Sequence, residues 1–374
     1  MEKDIEQHST ATPLVKPGSY SMPLKRLILL PLFAGALVVY NTAVPSLEDV
    51  QLGSLFSTYT SLTGTHCQHE SESSNVKSRA AKILTENPLI DGHNDLLIGL
   101  RGTYQNHLSP EVLERFENGT LPGQTTVLSM AAGGYGGAFW SAYMYCQKDI
   151  WDFSDAAYAP IVRATFEQID TFHRLAAIYP EFFSLPASAA SAEAGFHVNH
   201  TLISPIAIEG LHQIGNSLSI LRSFFDLGVR YATMNWNCHN VYSDAAVLTY
   251  IGNGRGHSEK ATPHWGGVSK RGRDLVKEMN RLGMIVDLSH VSVDTMRDVL
   301  AGYHNYDAPH SEKFEDDWTG SLAPPFFSHS SAYAICPHPR NVPDDVLWMV
   351  KRRNSVVMIN FNPCLLYTSP SPRD

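Results

Sequence analysis

Seven short apolar runs recur between Leu89 and Phe361, and each reads as a strand: Leu89–His93, Ala138–Met144, Ile206–Glu209, Arg230–Met234, Met284–His290, Phe326–His329 and Val356–Phe361. Near-continuous apolarity over so few residues is the pattern of a strand buried on both faces. Between the runs the period changes. Val162, Phe166, Ile169 and Phe172 recur at helical spacing, as do Leu218, Leu221 and Phe225, and then Leu275, Met279 and Leu282. These are core-facing stripes. Strands alternating with amphipathic helices predict a parallel sheet and an α/β architecture.

The strand ends carry the chemistry. Pro88-Leu-Ile-Asp-Gly-His-Asn-Asp-Leu96 closes on His93-x-Asp95, and side chains two apart on a strand leave it side by side. Three further runs end in a metal-capable group: Glu209, His290 and His329. Taken singly, each histidine reads equally well as a satisfied, part-buried side chain. Together they sit where parallel strands bring their C-terminal ends to one rim. Imidazoles with one aspartate and one glutamate suit two zinc ions, the glutamate bridging them. His66, His69, His257, His264, His310 and His338 lie in polar or Pro/Gly-rich stretches and are expected in solvent. No Gly-x-Ser-x-Gly elbow accompanies Ser289 or Ser328, which disfavours a serine hydrolase.

Composition narrows the partners. A net charge of −9 over 374 residues, with no basic cluster, excludes nucleic acid as an expected partner. Residues 1–26 are polar and read as a disordered cytosolic tail. Leu27 to about Leu47 is uncharged, flanked by Lys25 and Arg26 before it and Glu48 and Asp49 after it. That arrangement predicts a signal-anchor with the catalytic part on the lumenal side, a single-pass type II protein of the secretory pathway or cell surface. A cleaved signal peptide and secretion is the alternative. Residues 48–78 would be a Ser/Thr-rich stem. The sequons at Asn118 and Asn199 are candidate glycosylation sites.

The motifs name a family. Leu-Ile-Asp-Gly-His-Asn-Asp (89–95), Gly-Gly-Ala-Phe-Trp-Ser (136–141), Ile-Glu-Gly (208–210) and Leu-Gly-Val-Arg-Tyr (227–231) come in order. Asp-Leu-Ser-His-Val-Ser (287–292), Ser-His-Ser-Ser-Ala (328–332) and Arg-Asn-Val-Pro-Asp (340–344) follow. The chain resembles the membrane dipeptidases over about Ser78 to Pro363. That resemblance implies a TIM-like (β/α)8 barrel over residues 79–363 and two zinc ions per chain. His93, Asp95 and Glu209 would hold one ion; Glu209, His290 and His329 would hold the other. It further implies dipeptide hydrolysis by a metal-bridging hydroxide, with Glu209 catalytic and Arg340 binding the substrate carboxylate. Trp236 falls where members commonly carry a substrate-contacting histidine, and tryptophan cannot exchange a proton as imidazole does. His239, three residues on, would face the other side. A disulfide between Cys146 and Cys238 is implied, and a homodimer is a further expectation. The rivals are an amidohydrolase acting on N-acyl amino acids and a catalytically impaired metal-binding surface protein.

The eighth barrel strand is missing from these runs. After Pro363 the family pattern stops, and Cys364-Leu-Leu-Tyr-Thr-Ser-Pro-Ser-Pro-Arg-Asp374 is a valid translation of a transposase-type sequencing adapter. Residues 364–374 are therefore expected not to be native, and the eighth strand, with a family aspartate, to lie beyond this sequence. The polypeptide as written is expected to be inactive.

Overall fold

A computed structural model describes residues 72–252, 255–313, 317–362 and 365 of the chain. The expected tail, signal-anchor and most of the stem lie outside the described residues, as does the C-terminal segment apart from Leu365. Among the described residues no helix is long and apolar enough to cross a membrane. The expected border between stem and barrel at residue 78 falls inside one helix, Glu72–Glu86.

All seven expected strands are present. The eleven described strands are β1 (Leu89–Asn94), β2 (Tyr135–Ala142), β3 (Phe183–Ser184), β4 (Leu202–Ile203), β5 (Ile206–Glu209), β6 (Val229–Thr233), β7 (Val247–Gly252), β8 (Arg255–Lys260), β9 (Ile285–Asp287), β10 (Phe327–Ser330) and β11 (Val357–Ile359). β1, β2, β5, β6 and β9 pair in parallel in that order. A parallel bridge from Asp287 to Phe326 leads on to β10, which pairs in parallel with β11. The result is a curled parallel sheet, the half-barrel of an α/β fold. β4 and β5 follow one line interrupted at Pro205, whose carbonyl still accepts from Trp140 N–H at 2.9 Å.

Two boundaries differ from the pattern for physical reasons. The strand expected to reach His290 stops at Asp287, because the Asp287 carboxylate accepts the Ser289 N–H at 3.0 Å and turns the chain. β2 begins at Tyr135 rather than Ala138, since Gly136 and Gly137 continue the strand at close quarters; a Cβ on Gly137 would overlap Ile203. The β7–β8 antiparallel hairpin and the short pair β3–β4 were not read from the apolar runs.

The sheet buries apolar groups on both faces. Inside the curl, Ala207, Tyr231 and Phe326 cluster with Phe139, Ile285 and Met358. Outside it, Trp140, Ile206 and Ile208 pack under the helices Asp155–Ile178, Leu218–Asp226 and Lys270–Leu282. The predicted stripes hold, with one shift: Phe224 rather than Phe225 is fully buried on the second helix. Alternation along the strands thus sends every second side chain inward, where the next turn of each strand is polar.

β1 and β10 approach so closely at Gly92 that any Cβ there would run into the Ser328 carbonyl oxygen and the Met358 side chain. Gly92→Ala in the full-length protein should cost about 1–3 kcal/mol of stability through overpacking. Urea denaturation measures it, and an unchanged midpoint would show that the sheet yields freely at this point.

Candidate metal centre

Register sets the centre. Glu209 pairs with Thr233 across β5–β6, and Thr233 with Asp287 across β6–β9, so three inward polar side chains line up on adjacent strands. His93 stands in β1 beside them, His329 in β10, and His290 three residues after β9. Glu209 is buried, and its two oxygens face different partners. Oε1 lies 2.8 Å from His290 Nε2 and 3.4 Å from His329 Nε2; Oε2 lies 3.5 Å from His93 Nε2. Asp95 Oδ1 is 3.2 Å from the same His93 nitrogen. All five residues expected as ligands therefore meet at one carboxylate.

The second nitrogen of each ring fixes its tautomer. Tyr231 donates its hydroxyl proton to Gly92 O, so its oxygen accepts from His93 Nδ1–H at 2.9 Å. Ser328 donates to Asp287 at 2.7 Å, so its oxygen accepts from His329 Nδ1–H at 2.7 Å. Asn237 Oδ1 can only accept, and takes His290 Nδ1–H at 2.8 Å. Each imidazole thus turns an Nε2 lone pair to the centre. The Nε2 atoms of His290 and His329 face each other at 2.9 Å. Lone pairs brought together beside a carboxylate repel unless a cation stands among them. The donor set of imidazole nitrogens and carboxylate oxygens fits zinc, and the two-sided Glu209 fits a bridge between two ions.

Charge within the cluster says the same. Burial opposes ionisation of Glu209, yet His93, His290 and His329 hold it well below the usual carboxylate range. Burial also opposes charge on His93, but Tyr231, Glu209 and Asp95 raise it well above the ordinary imidazole value. His290 and His329 are pushed down by burial first, then by Arg340 and His93 respectively. The bare cluster therefore gathers positive charge at His93, where a metal ion would otherwise supply it.

Asp287 braces the arrangement. It is fully buried and accepts four hydrogen bonds, from Thr233 Oγ1, Ser289 N, Ser328 N and Ser328 Oγ, at 2.6–3.0 Å. His290 itself adopts a left-handed backbone (φ 69°), a conformation a non-glycine residue holds only when its surroundings insist. Asn237 and the Glu209 contact supply that insistence.

The centre opens into a cleft of about 1030 Å³ lined by Tyr143, Tyr145, Trp236 and Arg340 as well as the ligands. Arg340 is buried, with Nε and Nη2 unpartnered among the described residues. Burial pulls its pKa down to about 10, and Glu209 and Asp287 push the other way. It remains a cation. Trp236 packs on Tyr143 and Tyr145 with ring centroids 5.0 and 5.7 Å apart, and lies 6.3 Å from the His290 ring. Cys146 and Cys238 are disulfide-bonded, tying the segment after β2 to the one carrying Trp236.

Several residues fall elsewhere than expected or were missed. His239 does face away from the cleft, buried against Asp244 at 3.0 Å. His264 is not in solvent: it is half-buried among Trp151, Phe153, Trp265 and His310, because Asp244 gathers the backbone N–H groups of residues 264–267 and folds that loop inward. Tyr143, Tyr231 and Asn237 were not singled out, since a tyrosine in an apolar run reads as core. The sequons are placed on the surface, Asn118 and Asn199 both being exposed.

Comparison with known proteins agrees with this geometry. The membrane dipeptidase family (peptidase family M19) matches residues 77–372. An uncharacterised dipeptidase of Schizosaccharomyces pombe is 44% identical over 79% of this chain and 64% of its own length. The dipeptidase aclJ of Aspergillus oryzae is 40% identical over 77% and 60%. The chain thus spans about three-fifths of the length of these curated relatives. A metallopeptidase of Rhodobacter sphaeroides, solved with a phosphinate mimic of the dipeptide L-Ala-D-Ala, shares the fold: TM-score 0.57, 22% identity, 75% of this chain and 76% of that one.

Asp287→Asn tests the bracing. It swaps one acceptor oxygen for an NH₂ that meets two donors, so the Ser328–His329 link loosens. Zinc affinity of the full-length protein, read by chelator competition, should fall about 10–100-fold with the fold retained. Unchanged affinity would make Asp287 a packing residue only.

Proposed function

The chain belongs to the membrane dipeptidase family, and from that premise we propose that the protein is a zinc-dependent dipeptidase whose two ions share Glu209. The observation that carries this reading is the convergence of three imidazole Nε2 lone pairs on the two oxygens of one buried carboxylate. His93 and Asp95 would complete one zinc position, His290 and His329 the other. When bound, such a pair supplies Lewis-acid polarisation of a carbonyl and a hydroxide near neutral pH.

The remaining work falls to the protein's own groups. Arg340 offers two unanswered N–H donors at the cleft wall, suited to a planar carboxylate. A free C-terminal carboxylate seated there would place the preceding amide beside Glu209. Tyr231, Ser328 and Asn237 keep the imidazoles in one tautomer, so no ligand nitrogen is lost to a misplaced proton. Zinc as the metal, two ions per chain and hydroxide as the nucleophile are part of the proposal, as are N-glycosylation at Asn118 and Asn199, a homodimer and a membrane anchor at the N-terminus.

A binding-only reading rests on Trp236. It occupies the cleft without offering an exchangeable proton, and His239 points elsewhere. Turnover of dipeptides by the unaltered full-length protein decides between the two.

Chelation should abolish dipeptide hydrolysis by that protein and zinc should restore it, with about two zinc ions per chain by elemental analysis. Glu209→Ala should lose both ions; two retained equivalents would refute the bridge. Arg340→Met should raise KM for dipeptides about 10–100-fold, the worth of a charge-assisted hydrogen bond, with zinc content kept. A side-by-side panel of dipeptides and N-acyl amino acids checks substrate class: preference for the acylated set would overturn the dipeptidase assignment in favour of an amidohydrolase.

A further inference from the structure

The hydroxyl of Tyr143 stands out among the cleft groups because the described residues give it no hydrogen-bond partner. Tyr143 is 7% exposed, so bulk water does not satisfy it either. A buried hydroxyl without an acceptor is costly to leave, and it is usually retained where a ligand answers it. The residue lines the same cleft as Glu209, His290 and Arg340, one position past the end of β2. It shares the inward parity of Phe139 and Ser141 on that strand.

Its placement is rigid. The buried Gln168 side chain clamps its backbone on both sides, accepting from Tyr143 N–H at 3.3 Å and donating to Tyr143 O at 2.8 Å. The ring is wedged between Tyr145 and Trp236, at centroid distances of 5.2 and 5.0 Å. Burial first, then the charges of Glu209, Tyr145 and Asp95, push its pKa upward, so the phenol stays protonated and near the ligand carboxylates. A neutral phenol held beside anionic oxygens that its O–H does not reach is a donor in reserve. The group that would answer it is an oxygen that becomes negative between the ligands.

Resting on the dipeptidase reading, we propose that Tyr143 is a further catalytic residue: its O–H donates a hydrogen bond to the carbonyl oxygen of the scissile amide as that oxygen gains negative charge. The phenol keeps its proton throughout. The C–N bond breaks as hydroxide adds to the carbonyl carbon, and the leaving amine takes up a proton that water delivers. Tyr143 thereby performs the stabilising part of the role an imidazole would play at position 236, where this chain has tryptophan. Donors aimed at the developing oxyanion act chiefly on kcat, because the ground-state carbonyl uses them little.

The test is Tyr143→Phe in the full-length zinc-loaded protein. The change removes only an unpartnered oxygen, so thermal stability and zinc content should hold. We expect kcat to fall about 10²–10³-fold, the usual loss for one oxyanion donor, with KM within a few-fold. Affinity for a phosphinate mimic of Ala-Ala, measured by calorimetry, should fall in parallel, while affinity for free alanine stays level. Should the phenylalanine variant not fold, 3-fluorotyrosine placed at position 143 gives a second readout. Its ¹⁹F resonance should shift on phosphinate binding and not on alanine binding.

An active parent with an equally active Tyr143→Phe, or a loss confined to KM, overturns the role of Tyr143 and leaves the dipeptidase reading standing. A parent that neither hydrolyses dipeptides nor binds the phosphinate overturns both.

Discussion

A carboxylate buried among imidazole lone pairs is the constraint on which the rest of this structure depends. Removing an anion the size of Glu209 from water costs several kcal/mol even after relaxation. The nearest groups do not repay that cost as neutral imidazoles, since their Nδ1–H protons are committed outward to Tyr231, Asn237 and Ser328. Positive charge must be brought in. The cluster does so weakly by favouring a proton on His93, and divalent ions would do so fully. A site that is unfavourable when bare and completed by cations couples metal binding to the stability of the strands that carry it.

That requirement explains the polar layer inside the sheet. Parallel strands in register place Glu209, Thr233 and Asp287 side by side, and Asp287 answers with four hydrogen bonds that reach both β10 and the turn before His290. Each metal-facing ring is held by a residue on a different element: Tyr231 of β6 steadies His93 of β1, and Asn237 after β6 steadies His290 after β9. β6 therefore touches both halves of the centre without contributing a proposed ligand. The disulfide from Cys146 to Cys238 closes a separation of 92 residues on the same side. In chain-entropy terms such a loop is worth about 4–5 kcal/mol, less any native strain, and it pins the segment from which Trp236 and Asn237 project.

Much of this was legible in the sequence because two-faced strands are near-continuous apolar runs and their last polar residue stands out. His93, Asp95, Glu209, His290 and His329 were visible for that reason. The supporting residues were not. Tyr231 lies in a run that reads as core, and only its position across from Gly92 gives its hydroxyl a task. Asp244 lies in a polar loop, and nothing local says that it will gather the N–H groups of residues 264–267 and draw His264 inward. The β7–β8 hairpin was legible but unread: Asn253-Gly254 is a strong hairpin signal. His290 shows the limit most clearly. Apolarity carried the expected strand to it, whereas one side-chain hydrogen bond from Asp287 ends the strand and aims the ring.

The cleft is as asymmetric as its centre, and the asymmetry bears on which molecules could use it. Arg340 is a buried cation near His290 and His329, and the His93 side is occupied by Asp95, whose side chain is 62% exposed. One end thus demands an anion in a desolvated place; the other is open to water. In the dipeptidase reading this polarity sets the register of the substrate. A carboxylate satisfies Arg340 only when a single residue separates it from the amide over Glu209, because a longer C-terminal segment would have to pass through the position the guanidinium fills. The aromatic wall of Tyr143, Tyr145 and Trp236 leaves side-chain identity less constrained than length, since flat apolar faces accept many shapes and demand few hydrogen bonds. Selection by chain length rather than by side chain follows from where the one unpaired cation is buried.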